Sequence, residues 1–326
     1  MSRNEMRVER ALLGGRSVRP AMGAVGILIV AAMGIVSAQA ASAQQDLSKV
    51  EIETIELGSG LAMLRGVGGN IGVSVGPEGV FLIDDQFAPL TDKIRAAVSK
   101  LSSARIRFLL NTHWHGDHTG GNENLGRGGV LIMAHDRVRA RLSTDQVMAA
   151  GSRKIPAAPP IAWPVLTFGD GITLHLNGHT IEVRHVGPAH TDGDSIVRFV
   201  EADVLHLGDT FFSGIYPFFD TSSGGHIDGM IAAADRGLAL AGPGTRIIPG
   251  HGPLSTAEDL KKTREMLGSV SDRVRKMIGE GLDKEAVIAA RPTREFDATF
   301  GGGFMTPDRF TGIVYDSLSG SGHLNL

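Results

Sequence analysis

The 326-residue chain contains no cysteine. That absence excludes disulfides and thiolate metal ligands, so stability has to come from a packed core, for which the chain is long enough. A basic excess is also missing. There are 32 Lys and Arg against 35 Asp and Glu, a net charge of −3, which argues against a nucleic-acid partner whose phosphates call for basic patches. No internal repeat is visible. Only one long apolar run occurs, residues 21–36, preceded by Arg3, Arg7, Arg10, Arg16 and Arg19 and followed by small residues. Ala41-Ser42-Ala43 fits an A-x-A cleavage pattern. Residues 1–43 therefore read as a secretory signal peptide, with Gln44 as the mature N-terminus and a periplasmic or secreted location. The run is short for a membrane span, which needs roughly 20 apolar residues, so no membrane anchor is expected after cleavage. There is no Arg-Arg pair to support twin-arginine export.

Glycine, by contrast, is abundant at 44 residues and punctuates short apolar runs. Residues 50–57, 61–64, 71–75 and 80–83 read as strands joined by glycine turns. Residues 89–101 have helical spacing, with Leu90, Ile94, Ala97 and Leu101 on one side. Strands are expected at 106–110 and 130–134, the latter followed by a helix through Leu142. The proline-rich stretch 155–164 has no period and reads as a loop in which Trp163 could cover a site. A second block of strand signals begins near Leu166 and continues at 172–176, 180–185, 195–199 and 204–207. A helix over 228–241 and a strand at 246–248 follow. From about Ser255 the pattern is helical, with Asp283 as an N-cap. Two successive blocks of strands then helices predict a single domain over 44–326. Its expected architecture is a four-layer αβ/βα sandwich with helices outside two sheets and a helical C-terminal segment. The short early turns disfavour a doubly wound parallel sheet.

One segment concentrates metal-ligand chemistry: Asn111-Thr112-His113-Trp114-His115-Gly116-Asp117-His118. It follows a strand, and residues i and i+2 of an extended chain point the same way, so His113 and His115 can serve one ion. Gly116 lets the chain turn, leaving Asp117 and His118 for a second ion. Three His and one Asp within six residues signal metal rather than chance.

At this point the chain resembles the metallo-β-lactamase-fold superfamily, and the resemblance continues in chain order. It covers Asp84 in Val80-Phe81-Leu82-Ile83-Asp84, His190 in Gly187-Pro188-Ala189-His190-Thr191, Asp209 in Leu207-Gly208-Asp209-Thr210, and His251 in Ile248-Pro249-Gly250-His251-Gly252. The resemblance implies that His113, His115 and His190 bind one ion, that Asp117, His118 and His251 bind the other, and that Asp209 bridges both. Asp84 would hold the ligand loop by hydrogen bonds, with Asn111 in a similar role. An all-nitrogen and oxygen donor set suits Zn²⁺, with iron or manganese as alternatives. Two ions sharing a hydroxide would attack an ester, lactone, thioester or amide, with Asp117 orienting the nucleophile and handling its proton.

Class B1 β-lactamases resemble this chain in the first ligand set but place a cysteine in the second and a substrate-anchoring lysine just after it. Here Asp209 stands in that slot, and Thr210-Phe211-Phe212-Ser213 offers no lysine. β-Lactam hydrolysis is thus an alternative reading, and an iron oxidoreductase such as a persulfide dioxygenase is another. A non-catalytic metal-binding protein would be expected to have broken ligands. The partner is expected to be a small molecule; the oligomeric state stays open. Candidates for substrate contact are His226 on its glycine-flanked loop, Phe211 and Phe212 of the aromatic run after Asp209, and Trp163.

Overall fold

The computed structural model describes residues 46–148 and 153–320. The signal-peptide segment 1–43 and the proposed mature N-terminus at Gln44 lie outside the described residues, as does His323.

The first sheet has seven strands in the order β1-β2-β3-β4-β5-β6-β9. They are β1 (Glu53–Gly58), β2 (Leu61–Arg65), β3 (Ile71–Gly76), β4 (Gly79–Ile83), β5 (Ile106–Asn111), β6 (Leu131–His135) and β9 (Leu166–Phe168). β1 to β4 form an antiparallel meander, as the short glycine turns predict, whereas β4, β5, β6 and β9 run parallel. A two-stranded hairpin, β7 (Gln146–Met148) and β8 (Arg153–Ile155), stands apart. The second sheet orders β10 (Gly171–Leu176), β11 (His179–His185), β12 (Ser195–Phe199), β13 (Val204–Phe212) and β14 (Arg246–His251). Only its last pair, β13 with β14, is parallel.

Strand alternation builds the layers. In β4, Phe81 and Ile83 face the second sheet, where they meet Val183, Val197 and Ile248, while Val80 and Leu82 face outward. That outer face is covered by α1 (Thr91–Leu101) through Ile94, Ala97 and Val98, and by Leu125 of α3 (Asn122–Arg127). A single turn, α2 (Gly116–Thr119), precedes α3, and α4 (Asp136–Leu142) follows β6. The second sheet turns Leu205, Leu207 and Ile247 towards α5 (Ile227–Leu240) and α6 (Ala257–Gly279). The result is helix, sheet, sheet, helix: the four-layer sandwich. Phe81 is fully buried between the sheets, so Phe81→Ala should cost roughly 3–5 kcal/mol.

The C-terminal segment is helical, as its pattern predicts. α6 begins with a capping box between Thr256 and Asp259. α7 (Lys284–Ala289) is capped by Asp283, whose side chain accepts from the Ala286 amide at 2.9 Å. α8 (Asp297–Phe300) and α9 (Pro307–Ser319) complete it, packing Val314 and Phe310 against Met266, Val270 and Tyr216. Among the described residues no helix is long and apolar enough to cross a membrane.

Three local expectations change. The first strand starts at Glu53 because residues 47–49 form a 3-10 turn. Helix α1 starts at Thr91 after a 3-10 turn over Ala88–Leu90. β13 does not stop at Leu207: Gly208 takes a positive φ of 51°, and the strand continues beside β14 through Phe212.

Candidate metal centre

The residues singled out in the sequence converge at one end of the sandwich. β5 runs parallel between β4 and β6, and its C-terminal end delivers His113, His115, Asp117 and His118. The connection between β11 and β12 supplies His190, and the parallel neighbours β13 and β14 supply Asp209 and His251. Open sheets characteristically build sites beyond the carboxyl ends of parallel strands.

Two groups of possible donors result. One ligand atom each from His113, His115, His190 and Asp209 lies within 4.8 Å of the others, and the same holds for Asp117, His118 and His251. Asp209 joins the groups by dividing its carboxylate. Its Oδ2 lies 3.8 Å from His113 Nε2 and 3.3 Å from His190 Nε2, while its Oδ1 lies 3.1 Å from His118 Nε2 and 3.4 Å from His251 Nε2. Asp117 Oδ2 completes the second group at 3.2 Å from His251 Nε2.

The far nitrogens of four rings are held by the protein, which sets which nitrogen each presents. Asp84 accepts from the Thr112 amide and hydroxyl at 2.7 Å each and meets His118 Nδ1 at 2.8 Å, leaving His118 Nε2 to face the cluster. Thr112 Oγ1 sits 3.0 Å from His113 Nδ1. The Phe218 carbonyl meets His190 Nδ1 at 2.9 Å. Asp220 meets His115 Nε2 at 3.3 Å, so His115 turns Nδ1 inward, 2.8 Å from His190 Nε2. Asp84 is held with φ of 63°, a strained conformation for a non-glycine residue that fixes this carboxylate under the ligand loop. Two glycines leave room for the ligands. A Cβ on Gly69 would lie 2.0 Å from His118 Cε1, and one on Gly250 would lie 2.0 Å from Asp209 Oδ1.

The electrostatics divide the histidines. Burial, reinforced by the neighbouring His118, pushes the pKa of His113 well below its ordinary value, and burial takes His190 down to about 4. Burial also opposes charge on His118 and His251. There the carboxylates win: Asp209, Asp117 and Asp84 hold His118 well above the usual range, and Asp209 and Asp117 raise His251 to about 9. The residues fit a metal. The buried Nε2 of His113 has no hydrogen-bond partner, and the donor set is nitrogen and carboxylate oxygen throughout.

A mostly apolar cleft of about 790 Å³ opens over Asp117, Asp209, His115, His190 and His251. Phe212 lines it, with its ring stacked on His251 at 5.1 Å. The three other residues expected at the substrate are placed elsewhere. Phe211, next to Phe212 on the strand, points to the opposite face and packs with Leu205 and Ile247 in the core. His226 is the N-cap of α5, its Nδ1 accepting from the Asp228 amide, and does not line the cleft. Trp163 lies behind the wall, where its indole donates to the Ala158 carbonyl at 2.8 Å under Arg139. Asn111 exchanges amide hydrogen bonds with Asn122 and donates to the His118 carbonyl, so it ties the loop down without reaching the cluster. Asp220 has no spacing signature; its only sequence signal is the Asp-Thr-Ser-Ser turn that its carboxylate organises through Ser222 and Ser223. The wall formed by β7 and β8 also went unforeseen, because each strand is only three residues long.

A family model described as the metallo-beta-lactamase superfamily matches residues 64–252, more than half of the chain. The chain belongs to this superfamily. Within it, similarity extends to a hydroxyacylglutathione hydrolase of Nitrosococcus oceani, 29% identical over 50% of this chain and 55% of that protein. A second hydroxyacylglutathione hydrolase, from Polaromonas sp., is 26% identical over 64% of this chain and 73% of its own length. The metallo-beta-lactamase type 2 of Bacteroides fragilis is 22% identical over 50% of this chain and 60% of that protein. The match thus spans only about half of the N. oceani relative. Among solved structures, a metallo-beta-lactamase from Pontibacter korlensis superposes with a TM-score of 0.55 at 20% identity, covering 67% of this chain and 99% of its own. At that identity the likeness establishes the superfamily fold.

Proposed function

We propose that this superfamily member is a metal-dependent hydrolase that cleaves an ester, lactone, thioester or amide with two metal ions, zinc being the first choice. The carrying observation is the divided carboxylate of Asp209, one oxygen towards each histidine group. The names of the hydroxyacylglutathione hydrolase relatives, which denote hydrolysis of an acylglutathione, support an acyl substrate.

When bound, two such ions supply a Lewis acid for the scissile carbonyl and lower the pKa of an attacking water towards neutrality. The chain's own groups do the rest. His113, His115 and His190 would hold one ion and His118, His251 and Asp117 the other. Asp84 and Asp220 would keep His118 and His115 in the orientations found here. Burial opposes ionisation of Asp117, but His118 and His251 overcome it and hold its carboxyl below the usual range. Asp117 Oδ2 would therefore stand ionised in the cleft, able to orient a water and take its proton. Phe212 would shield His251 from bulk solvent.

Metal analysis combined with a substrate panel tests this reading. The panel is a chromogenic cephalosporin, lactones, thioesters, aryl esters and a phosphodiester, with and without chelator. About two zinc equivalents and chelator-sensitive turnover of an acyl substrate are expected. Two bound metals with no acyl turnover would overturn it, and oxygen consumption with a persulfide by the iron-loaded protein would move the protein to the oxidoreductase reading. We further propose export, on the basic start and apolar run of residues 1–43; N-terminal sequencing of the exported protein should begin at Gln44.

A further inference from the structure

We propose that the cleft selects an uncharged acyl substrate carrying an extended apolar group and discriminates against substrates that bring a carboxylate into the cleft. This rests on the hydrolase reading above and adds the substrate's character to it.

The first observation is what lines the cleft. Beside the ligand cluster the cleft is lined by Phe87, by Trp114 with Met148 and Ile155 of the β7–β8 hairpin, and by Phe218 and Phe304. The volume, about 790 Å³, is enough for a substrate much larger than an acetyl ester. One large apolar side chain at the cleft is left open to solvent: Phe304 is 54% exposed and lines it.

The second observation is independent and concerns charge. Among the described residues lining the cleft, Arg141 is the one Lys or Arg. Its guanidinium is already engaged. Nε and Nη2 donate to Asp192 Oδ1 and Oδ2 at 2.7 and 2.9 Å, and Nη1 donates to Gln146 Oε1 at 2.9 Å. A bidentate pair of this kind is a geometric match that a substrate carboxylate would have to displace. The other charged side chains on the wall outside the ligand cluster reduce to Glu123, which repels an anion. An acylglutathione carries two free carboxylates, and among the described residues this cleft offers them no free Lys or Arg. The geometry therefore separates the chain from the substrate that its relatives' names denote.

The reaction is hydrolysis. Water oxygen bonds to the acyl carbon, the bond from that carbon to the leaving oxygen breaks, one water proton goes to the leaving alkoxide and the other is released as the product acid ionises.

The test uses the zinc-loaded protein and p-nitrophenyl esters from acetate to octanoate, with the monoester of adipic acid as the carboxylate-bearing match to hexanoate. kcat/KM should rise about threefold to fourfold per buried methylene, and the adipate monoester should be at least about tenfold poorer than hexanoate. Phe304→Ala should compress the octanoate-to-acetate ratio about fivefold. Asp192→Asn, which releases Arg141, should narrow the hexanoate-to-adipate gap by a similar factor. If Asp192→Asn does not fold, the Phe304→Ala arm decides. In parallel, non-hydrolysable 2-alkanones of increasing length are titrated against tryptophan fluorescence, since Trp114 lines the cleft. Tighter binding with length, but no turnover of these esters or of the lactones and thioesters of the panel above, sustains the inferred preference and overturns the hydrolase reading. Turnover that is flat with chain length, or equal for adipate and hexanoate, overturns the inference and leaves the hydrolase reading standing.

Discussion

Histidines from the two halves of the fold come together in two places, and only one of them is built for a metal. At the cluster five rings surround Asp209, with Asp117 and Asp84 beside them. Some 20 residues further along, His135 at the end of β6 stacks on His185 at the end of β11, ring centroids 3.9 Å apart and planes 12° apart. The stack is the tighter contact of rings. Its nitrogens, though, are directed at the backbone: His185 Nδ1 meets the Asp194 carbonyl at 2.8 Å, and His135 Nδ1 accepts from the Arg137 amide. The cluster differs in two respects. Its far nitrogens are held from outside so that the near ones converge, and carboxylates stand among them. Proximity alone makes a stack; convergence with carboxylates makes a candidate metal site.

The contrast should break most completely at Asp209. Asp209→Ala removes the group shared by both ligand sets, and metal analysis should find both ions lost, with turnover down by about a thousandfold or more. Asp117→Ala touches one set only. It should leave about one metal equivalent and lower kcat by about a hundredfold; full activity would remove Asp117 from the proposed mechanism. Asp84→Asn and Asp220→Asn change only what stands behind the rings. Each should weaken metal affinity by about ten- to a hundredfold in a competition titration while the fold persists. The smallest effect belongs to the stack. His135→Gln should leave metal content unchanged and alter only stability against pH. Burial, then the neighbouring His185, lowers the pKa of His135, so the folded state binds fewer protons than the unfolded one. Stability carried by neutral His135 is complete above its unfolded pKa of about 6.5 and is lost as pH falls from there towards the folded value. Thermal melts of His135→Gln should be flatter across that window than those of the unchanged protein.

Much of this was legible in the sequence, for identifiable reasons. β4 announces itself because Val80 to Ile83 is an unbroken apolar run between Gly79 and Asp84, and β5 because Phe108 to Leu110 are apolar between Arg107 and Asn111. His113 to His118 are legible because four donors fall in one short segment. His190, Asp209 and His251 carry no such density; they stand out only in the ordered motifs of the superfamily. Asp220 and the Arg141–Asp192 pair were not legible, since their meaning depends on a partner distant in the chain. Phe211 and Phe212 are adjacent and chemically identical, so only the strand's facing decides that one packs in the core and the other against His251. His226 misled through its glycine neighbours, which suggest a loop when the residue in fact begins a helix.

Gly69 and Gly250 bring no side chain to the cluster, yet each has the place of its missing side chain taken by a ligand, His118 and Asp209 respectively. A saturation library read out by metal retention would therefore show two intolerant columns where a map of donor atoms shows none. Even alanine would force a ligand aside. The tolerance of this site to drift is set partly by two positions that an inventory of functional groups would pass over.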